Sequence, residues 1–416
     1  MRKGAGPGMR FPGMSAPSSP TTRRTFLAAA GAASLSTIAR SQDAPGAPPV
    51  RLGLIGCGGR GTWLMGLARE AGGFEVVAGA DYFPDRVAGF GSKFQVPEAR
   101  RFTGLQGYRR MIEAGGLDAV AIESPPFFHP RQALDAVAAG LHVFLAKPVA
   151  VDVPGCLMVA EAGRLATGKG KVMLVDFQTR ATDAFRQAIA KVHEGVLGDF
   201  CFGESVYESG PLGPQDGGQG PAEQRLRNWV FDKALSGDII TEQNIHTLDV
   251  MNWILGVPPL RATGTGGRKG RTHIGDCWDH FCVLFEYPGR VGINFHSRQY
   301  GGWDQGEGIT NRVCGTKGMI STAYGGKVFL RGEGDVTANF GATPGIYRDG
   351  AFANLKAFHA AITAADATNP TVAPSVQSNL ITLLGRHAAY GGQTVSWDDL
   401  LKDRTALDGR LDGLKE

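Results

Sequence analysis

The hydrophobic pattern of residues 50–150 alternates between short apolar runs and amphipathic stretches. The run VRLGLIG (50–56) has the length and composition of a buried strand, and RGTWLMGLARE (60–70) has helical periodicity. Three further strands and one helix are predicted from the runs that follow, which are FEVVAGAD, LDAVAIESPP, HPRQALDAVAAG and LHVFLAKPVA. Strands that alternate with helices predict a parallel, doubly wound α/β sheet.

The pattern changes after about residue 171. A strand (171–180) and a helix (182–199) are followed by a polar, glycine-rich loop from Ser209 to Gln224, long enough for an active-site lid or a subunit-contact arm. The stretch GDIITEQNIHTLDVMNWILG (237–256) predicts one helix. Short alternating strands with glycine turns then predict an antiparallel sheet, namely HFCVLFEYPG, RVGINFHSRQ and KGMISTAYGG. These changes divide the chain into residues 1–48, 49–170 and 171–405.

Residues 1–48 have the organisation of an export signal followed by a linker. Arg23 and Arg24 precede a small-residue apolar run (28–39) that is too short and too weakly apolar for a transmembrane helix. The order T-R-R-x-F-L resembles the twin-arginine signal, and DAPGAPP is typical of a flexible linker. We therefore expect a periplasmic protein, exported in folded form. A disordered basic tail is the alternative interpretation.

Composition narrows the class of protein. With 43% hydrophobic and 20% charged residues, the chain is typical of a soluble globular protein. The net charge is +4, and several positive residues lie within the first 24 positions, so no basic stripe indicates nucleic-acid binding. No membrane span is expected in the mature protein. Six cysteines are scattered without zinc spacing, so we expect no metal, and any disulfide pairing stays open.

A glycine motif lies between the first predicted strand and helix. Gly56, Gly58 and Gly61 form G-x-G-x-x-G, with Gly59 and Arg60 inside it. The first glycine permits a tight turn, the second allows the backbone to approach a pyrophosphate, and the third allows close helix packing. The N-terminus of the helix would then face the phosphates. All five residues are candidates for binding a dinucleotide.

Side chains at the ends of the predicted strands complete this candidate site. Asp81 follows the second strand about 20 residues after Gly61, where an acidic residue binds the adenosine ribose. Its charge would repel a 2′-phosphate, which favours NAD over NADP; a helix cap is the alternative role. Ser124, Pro125 and Lys147 also fall at the strand ends where ligands bind in α/β sheets.

Two groups could carry proton chemistry. Glu242, His246 and Asp249 have a spacing that places them on one face of a helix, and histidine is suited to proton transfer near neutral pH. A polar surface face or a packing histidine explains the spacing equally well, and no further ligands complete a metal site. Lys147 could stabilise an alkoxide, although a surface lysine before Pro148 is as consistent with the sequence.

Three motifs together resemble the Gfo/Idh/MocA oxidoreductases: GLIGCGGRG, AGLHVFLAKPVA and GDIITEQNIHTLDVMNWILG. The resemblance extends from about Val50 to Leu401. It implies an N-terminal Rossmann domain and a C-terminal α/β domain with a large, mostly antiparallel sheet that binds substrate and packs between subunits. A homo-oligomer, either a dimer or a tetramer, is therefore expected.

The resemblance also implies roles for individual residues. Lys147 matches the catalytic lysine, His246 the proton-transferring histidine and Asp249 a substrate-contacting aspartate, while Glu242 stands where the family usually has Asp. Ala146 replaces the glutamate that usually precedes the lysine. These two departures leave the orientation of the lysine and the reach of the carboxylate open.

Further candidates lie outside these motifs. Ser124, Pro125 and His129 match the family's stretch near the nicotinamide, and Arg180 and Trp229 are added as candidates for substrate binding. The cofactor expected at this site is NAD.

The function predicted is NAD-dependent oxidation of a secondary alcohol of a sugar, cyclitol or glycoside, or the reverse reaction. Because free cofactor does not exchange readily outside the cytoplasm, export predicts a tightly retained dinucleotide. One alternative is an NAD-dependent glycoside hydrolase that oxidises C3 transiently and eliminates the aglycone. Another is a catalytically inactive sugar-binding protein of the same fold. The sugar and the carbon that reacts stay open.

Overall fold

A six-stranded parallel sheet forms the N-terminal half of the fold, in the order β3-β2-β1-β4-β5-β6. Its strands are β1 Val50–Ile55, β2 Phe74–Asp81, β3 Arg101–Thr103, β4 Ala119–Ile122, β5 His142–Ala146 and β6 Met173–Asp176. The inner strands are buried on both faces, which explains their continuous apolar sequences. The sixth strand lies beyond the predicted boundary at residue 170 and pairs with β5 in parallel.

The computed structural model describes residues 48–301, 308–332 and 337–416, and the predicted export signal with all but the last residue of its linker lies outside them. Helices connect the parallel strands, as the alternating pattern predicted. They are α1 Gly59–Ala71, α2 Pro84–Phe94, α3 Gly107–Glu113, α4 His129–Ala138 and α5 Val153–Gly168. Two short helices, α6 Gln178–Ala181 and α7 Asp183–His193, lead out of this sheet.

A nine-stranded sheet forms the second half, in the order β14-β13-β12-β11-β7-β10-β9-β8-β15. The pair β7–β10 is parallel and the other neighbours are antiparallel, so the predicted mostly antiparallel sheet is confirmed. Its strands are β7 Phe200–Ser209, β8 Arg261–Gly267, β9 His280–Tyr287, β10 Val291–Gln299, β11 Ile309–Gly315, β12 Gly318–Ala323, β13 Lys327–Gly332, β14 Thr337–Ala342 and β15 Val395–Ser396.

Seven helices accompany the second sheet and its connection to the first. They are α8 Gly220–Arg227, α9 Lys233–Ser236, α10 Ile239–Glu242, α11 Ile245–Leu255, α12 Ile346–Thr363, α13 Val372–Gly391 and α14 Trp397–Lys402. Helices α7, α11 and α13 pack on one face of this sheet, and α12 packs against α1 and β6 of the parallel sheet. The last helices therefore join the two halves of the molecule.

The stretch 237–256 is not the single helix that its periodicity predicted. It forms α10 and α11, because the N–H of Asn244 bonds the carbonyl of Ile239 five residues back, and that of His246 bonds Gln243 three residues back. This change in hydrogen-bond spacing interrupts the helix between Glu242 and Ile245. Glu242 and His246 consequently do not share one helical face, and the sequence interpretation on this point is wrong.

Candidate functional site

A cavity of about 850 Å³ runs along the edge of the parallel sheet where β1, β2 and β4 end. The Rossmann side contributes the glycine turn, the residues after β2, and Ser124 with Pro125. The other side is closed by the segment after β7, which contributes Gln215, Leu226 and Trp229. Both halves of the fold thus form the walls of one cavity.

The glycine turn after β1 has no room for side chains at its first and last glycines. Gly56 has φ +96°, and a Cβ there would lie 2.5 Å from the carbonyl carbon of Glu123. A Cβ on Gly61 would lie 2.1 Å from the carbonyl oxygen of Gly56. Gly59, at the N-terminus of α1, has open space, and a Cβ on Gly58 would make an ordinary contact of 3.7 Å with Arg86. This cradle fits the pyrophosphate of a dinucleotide.

Asp81 lies at the end of β2, inside the cavity. One carboxylate oxygen accepts the N–H of Cys57 (2.8 Å), and the other accepts the N–H of Phe83 (2.9 Å). Burial raises the pKa of Asp81, and Arg86 and the two backbone donors oppose the rise. These bonds orient the carboxylate, and each oxygen keeps a lone pair for a ribose hydroxyl.

The predicted residues after β4 divide into cavity-lining and supporting positions. Ser124 and Pro125 line the cavity, and the hydroxyl of Ser124 bonds the side chain of Gln132 (2.6 Å). His129 is buried behind them, with its ring nitrogens 2.7 Å from the carbonyl oxygen of Ser124 and 2.8 Å from that of Pro148. Burial lowers the pKa of His129 to about 4. Its position joins the Ser124 loop to the Lys147 loop.

Lys147 follows β5 and reaches across to Glu242 at the end of α10. Its ammonium donates to the backbone carbonyl of Glu242 (2.6 Å) and lies 3.3 Å from Oε1 of the same residue. The two side chains are 11% and 13% exposed. Glu242 was expected to support His246, but the structure pairs its carboxylate with Lys147. The residue before Lys147 in this chain is Ala146, and the carboxylate beside the lysine is that of Glu242.

His246 is the second residue of α11, and its imidazole lies within electrostatic range of Lys147 and Arg60. Its Nδ1 is buried without a hydrogen-bond partner, and its ring lies 5.4 Å from that of Tyr324, whose hydroxyl is also buried without a partner. Burial, followed by the charges of Lys147 and Arg60, holds the pKa of His246 well below its usual value. The imidazole is therefore neutral at neutral pH, which leaves a ring nitrogen lone pair available, and the same lowered pKa makes it a weaker base than an exposed histidine.

Asn244, two residues before His246 in the sequence, also has polar atoms without hydrogen-bond partners. Its side chain is 1% exposed, and neither its amide oxygen nor its amide nitrogen has a partner. Buried polar atoms without partners are costly unless a ligand or water satisfies them. With the free atoms of His246 and Tyr324, they offer donors and acceptors to a ligand that carries several hydroxyl groups.

The predicted substrate residues Arg180 and Asp249 contact each other. The guanidinium of Arg180 makes three hydrogen bonds of 2.8–3.0 Å to Asp249, which also accepts the hydroxyl of Ser378 (2.6 Å). Asp249 is 0% exposed. In this structure the pair fixes α6 against α11 rather than facing the cavity. Trp229 instead lines the dinucleotide cavity, beside Leu226.

The sequence interpretation missed two buried carboxylates that bind Arg60. The Nε of Arg60 lies 3.0 Å from Glu123, another guanidinium nitrogen bonds Asp176, and Nη1 donates to Tyr347 (2.8 Å). Burial opposes the positive charge, but Glu123 and Asp176 outweigh it and raise the pKa of Arg60. Acidic residues directly after the apolar runs AVAI and MLV were the available signal. Nothing in the sequence indicated Tyr347 or Tyr324.

The residues that the structure describes contain neither a candidate metal site nor a membrane-spanning helix. Among them, no cluster of three or more His, Cys, Asp or Glu side chains could hold a metal ion, and the six cysteines are unpaired. In the same ranges, every helix is too short or too polar to cross a membrane.

Family models match both halves of the chain. Residues 50–177 match the oxidoreductase family with NAD-binding Rossmann fold, and residues 185–321 match the GFO/IDH/MocA C-terminal domain. Together the two matches cover more than half of the chain.

Two curated relatives share part of the amino-acid sequence of this chain. The inositol 2-dehydrogenase of Burkholderia multivorans is 29% identical over 61% of this chain and 69% of its own length. The inositol 2-dehydrogenase of Acidothermus cellulolyticus is 25% identical over 69% of this chain and 76% of its own length.

Solved structures share the fold. An aldose-aldose oxidoreductase from Caulobacter crescentus, complexed with glycerol, aligns with a TM-score of 0.67 at 19% identity, over 84% of this chain and 99% of that one. An inositol dehydrogenase homolog from Azotobacter vinelandii, complexed with NAD+, aligns with a TM-score of 0.68 at 19% identity, over 84% and 98%. At such identities the likeness shows a common fold.

Proposed function

Because the chain belongs to the Gfo/Idh/MocA family of oxidoreductases and has its NAD-binding Rossmann domain, we propose that it transfers hydride between NAD and a secondary alcohol of a sugar or cyclitol. The observation that carries this proposal is the contact between Lys147 and Glu242, with His246 in electrostatic range of the lysine, in a fold whose Rossmann half has a dinucleotide cradle. The relatives named inositol 2-dehydrogenase support the class of substrate.

The residues of this chain supply proton transfer and charge stabilisation. NAD accepts or returns the hydride when it is bound. The neutral imidazole of His246 accepts the hydroxyl proton of the substrate. Lys147 has three ammonium hydrogens, of which two face Glu242, so one is left to bond the substrate oxygen as negative charge develops on it. Glu242 keeps the ammonium in this orientation.

We further propose that the dinucleotide stays bound through turnover. Two segments, which we call the clasp, pack against the residues that follow β2 at the edge of the cavity: residues 210–229, which line it through Gln215, Leu226 and Trp229, and residues 403–416, which contact Tyr82 and Leu105. The first is tied to the loop after β2, because Arg227 pairs with Asp85 (2.9 Å) and Gln215 accepts from Arg86 (2.7 Å). An enclosed dinucleotide exchanges slowly, which suits a protein that works where free NAD is scarce.

The second clasp segment is the end of the chain. Lys415 donates its N–H to the hydroxyl of Tyr82 (3.2 Å) and accepts the N–H of Leu105 (3.0 Å). Tyr82 in turn donates to Glu223 of the first segment (2.9 Å). Leu414 packs with the buried cluster that includes Leu226. Both segments therefore meet on Tyr82, which lines the cavity.

Export by the twin-arginine route is part of the same proposal. It rests on Arg23, Arg24 and the apolar run after them. Residues 1–48 fused to a folded reporter should direct it to the periplasm, and the fusion with both arginines changed to lysine should remain in the cytoplasm. Export of the fusion with both arginines changed to lysine would contradict the proposed route.

A second copy of the chain is the proposed occupant of the open face of the nine-stranded sheet. Phe202 is 53% exposed and Leu284 is 39% exposed on the face away from the helices, and the family resemblance implies a subunit contact there. The molar mass from light scattering should be a multiple of the chain mass, and Phe202→Glu with Leu284→Glu should reduce it. A monomer at micromolar concentration would contradict this assembly.

The test of the main proposal uses purified mature protein with no added cofactor. Its nicotinamide absorbance is recorded, the nucleotide released on denaturation is identified, and a panel of sugars, cyclitols and glycosides is added. Formation of a ketone with bound NADH supports the oxidoreductase. Release of an aglycone without net oxidation would replace it with redox-neutral glycoside cleavage.

Control variants separate chemistry from folding in that experiment. Lys147→Ala should abolish turnover and retain the nucleotide, whereas Lys169→Ala, at an exposed lysine, should leave both unchanged. A protein that binds a sugar but neither holds nor reduces a dinucleotide would favour the inactive sugar-binding alternative.

A further inference from the structure

Glu123 is a buried carboxyl group in the wall of the dinucleotide cavity. It follows β4, and its side chain is 1% exposed. One oxygen, Oε2, lies 3.0 Å from Nε of Arg60. The other, Oε1, is buried and has no hydrogen-bond partner. A carboxylate with one unpartnered oxygen is expensive to bury and is therefore sensitive to any charge placed next to it.

The charges that face Glu123 come from three other elements. Arg60 at the start of α1 is shared between Glu123 and Asp176 at the end of β6, and Lys147 after β5 lies within electrostatic range. One guanidinium thus faces two buried carboxylates, so the three groups carry an excess negative charge when both acids are ionised. Burial, with a contribution from Asp176 and against Arg60 and Lys147, raises the pKa of Glu123 to about 7.

Two further groups near Arg60, which are Tyr347 and His246, carry no positive charge that offsets the excess negative charge of the cluster. Tyr347 accepts a hydrogen bond from Arg60 through its hydroxyl oxygen. His246, whose pKa is held well below its usual value, is neutral at the same pH. The excess negative charge of the cluster is consequently left for a ligand in the cavity.

We propose that Glu123 is a charge-compensating residue: it is ionised beside the positive oxidised nicotinamide and takes up one proton when the bound dinucleotide is reduced. This inference rests on the proposed function, since it requires a nicotinamide at the carboxyl edge of the sheet. Two observations support it. Oε1 of Glu123 has no hydrogen-bond partner, and Glu123 is next to Ser124, which lines the same cavity.

The proposed proton uptake by Glu123 balances the charge and the protons of the oxidation. Oxidation of an alcohol removes a hydride and a proton and leaves a carbonyl group. The hydride cancels the positive charge of the nicotinamide. The alcohol proton that His246 first accepts is not kept by that imidazole, whose pKa is held well below its usual value, and uptake of one proton by Glu123 cancels the negative charge of its carboxylate. The net charge of the buried site is the same before and after. In a protein that retains its cofactor, the hydride and the proton are then both kept for return to a second carbonyl group.

The test measures which form of the dinucleotide the protein prefers, without any substrate. Purified protein is equilibrated with mixtures of NAD+ and NADH between about pH 6 and pH 8.5, free nucleotide is removed, and the bound ratio is quantified. If one proton accompanies reduction, the bound ratio of NAD+ to NADH rises by up to about tenfold per pH unit. The midpoint and slope are compared among variants.

Three variants make the result specific to Glu123. Glu123→Gln should give a ratio that is independent of pH and shifted toward NADH by about tenfold, the effect of one partly screened charge. Glu123→Asp should keep a pH-dependent ratio. Glu113→Gln, at an exposed position, should match the unaltered protein.

Three results would overturn the inference. A flat ratio in the unaltered protein, or an equal slope in Glu123→Gln, would show that this carboxyl does not exchange the proton, while NAD binding itself would stand. Failure to bind either dinucleotide at any pH would overturn the proposed function together with this inference.

Discussion

The ammonium of Lys147 is bound to Glu242 twice, through the backbone carbonyl at 2.6 Å and the carboxylate at 3.3 Å. The family that this chain resembles usually has a glutamate immediately before the lysine, and this chain has Ala146 there. Glu242 comes from the other half of the fold. The lysine can therefore hold its orientation only when the two halves are packed together.

Glu242→Gln keeps the carbonyl contact and removes the charge beside Lys147. We expect kcat to fall by about 10- to 100-fold with little change in KM, because the variant loses an interaction that matters most as the substrate oxygen becomes charged. Steady-state kinetics on the identified alcohol measure this split. Glu194→Gln, at an exposed glutamate that pairs with Lys191, is the control, and an equal loss in kcat there would contradict the assignment of Glu242.

His246 should act as a base across neutral pH. Because burial and nearby cations hold its pKa well below the usual value, the proton-accepting form persists as pH falls through the usual histidine range. We expect kcat/KM to show no loss attributable to histidine between about pH 7 and pH 6. His246→Gln should lower kcat by about 10²–10⁴-fold. A limb of the pH profile near 6.5 that disappears in this variant would contradict the lowered pKa.

Much of the Rossmann half could be predicted because its signals are local. The glycine turn depends on Gly56 and Gly61, whose side-chain-free positions are visible in the sequence as G-x-G-x-x-G. β2 has the predicted bounds, and Asp81 ends it as expected. Each of these features depends on residues close together in the chain, so periodicity and spacing are sufficient.

The candidate catalytic group was predicted less well because its geometry depends on distant contacts. The break after Glu242 comes from a change in backbone hydrogen bonding that leaves helical periodicity nearly unaltered. The pairing of Arg180 with Asp249 joins residues 69 positions apart, and that of Arg60 with Asp176 joins residues 116 apart. Such partners are set by tertiary packing, and no pattern within a single segment encodes them.

The Arg180–Asp249 pair is expected to stabilise the fold. Asp249 is 0% exposed and Arg180 is 18% exposed, so Arg180→Met leaves a buried carboxylate with only Ser378 as a side-chain partner. Breaking a buried ion pair costs about 3–5 kcal/mol, and the free energy of unfolding in urea should fall by that amount. A variant of unchanged stability whose KM alone rises would instead restore the substrate-binding role predicted from sequence.

Acid should destabilise the protein through His129. Its pKa is lowered from 6.5 to about 4 on folding, so the unfolded chain binds the proton first. The contribution to stability is complete above pH 6.5 and is lost as pH falls toward 4, up to roughly 3 kcal/mol. His129→Gln should flatten this slope in urea unfolding measured at several pH values. His142, His246 and His387, whose pKa values are also lowered, leave a residual slope, and His273→Gln, at an exposed site, should change nothing.

The clasp should govern how fast the dinucleotide leaves. Removal of residues 411–416 deletes the contacts of Lys415 with Tyr82 and Leu105 and the packing of Leu414. We expect the dissociation rate of bound NAD to rise by at least about tenfold, which corresponds to ~1.4 kcal/mol. Less nucleotide should then be recovered with the purified protein.

The matched variant acts on the other clasp segment without shortening the chain. Glu223→Ala removes the acceptor for the hydroxyl of Tyr82 and should speed dissociation in the same direction, by a smaller factor. Thermal unfolding of each variant without nucleotide separates lost enclosure from lost stability. If truncation lowers the melting temperature but leaves the dissociation rate unchanged, the tail stabilises the fold and retention must come from the glycine cradle and Asp81. If the rate rises while the melting temperature holds, the clasp itself keeps the cofactor in place.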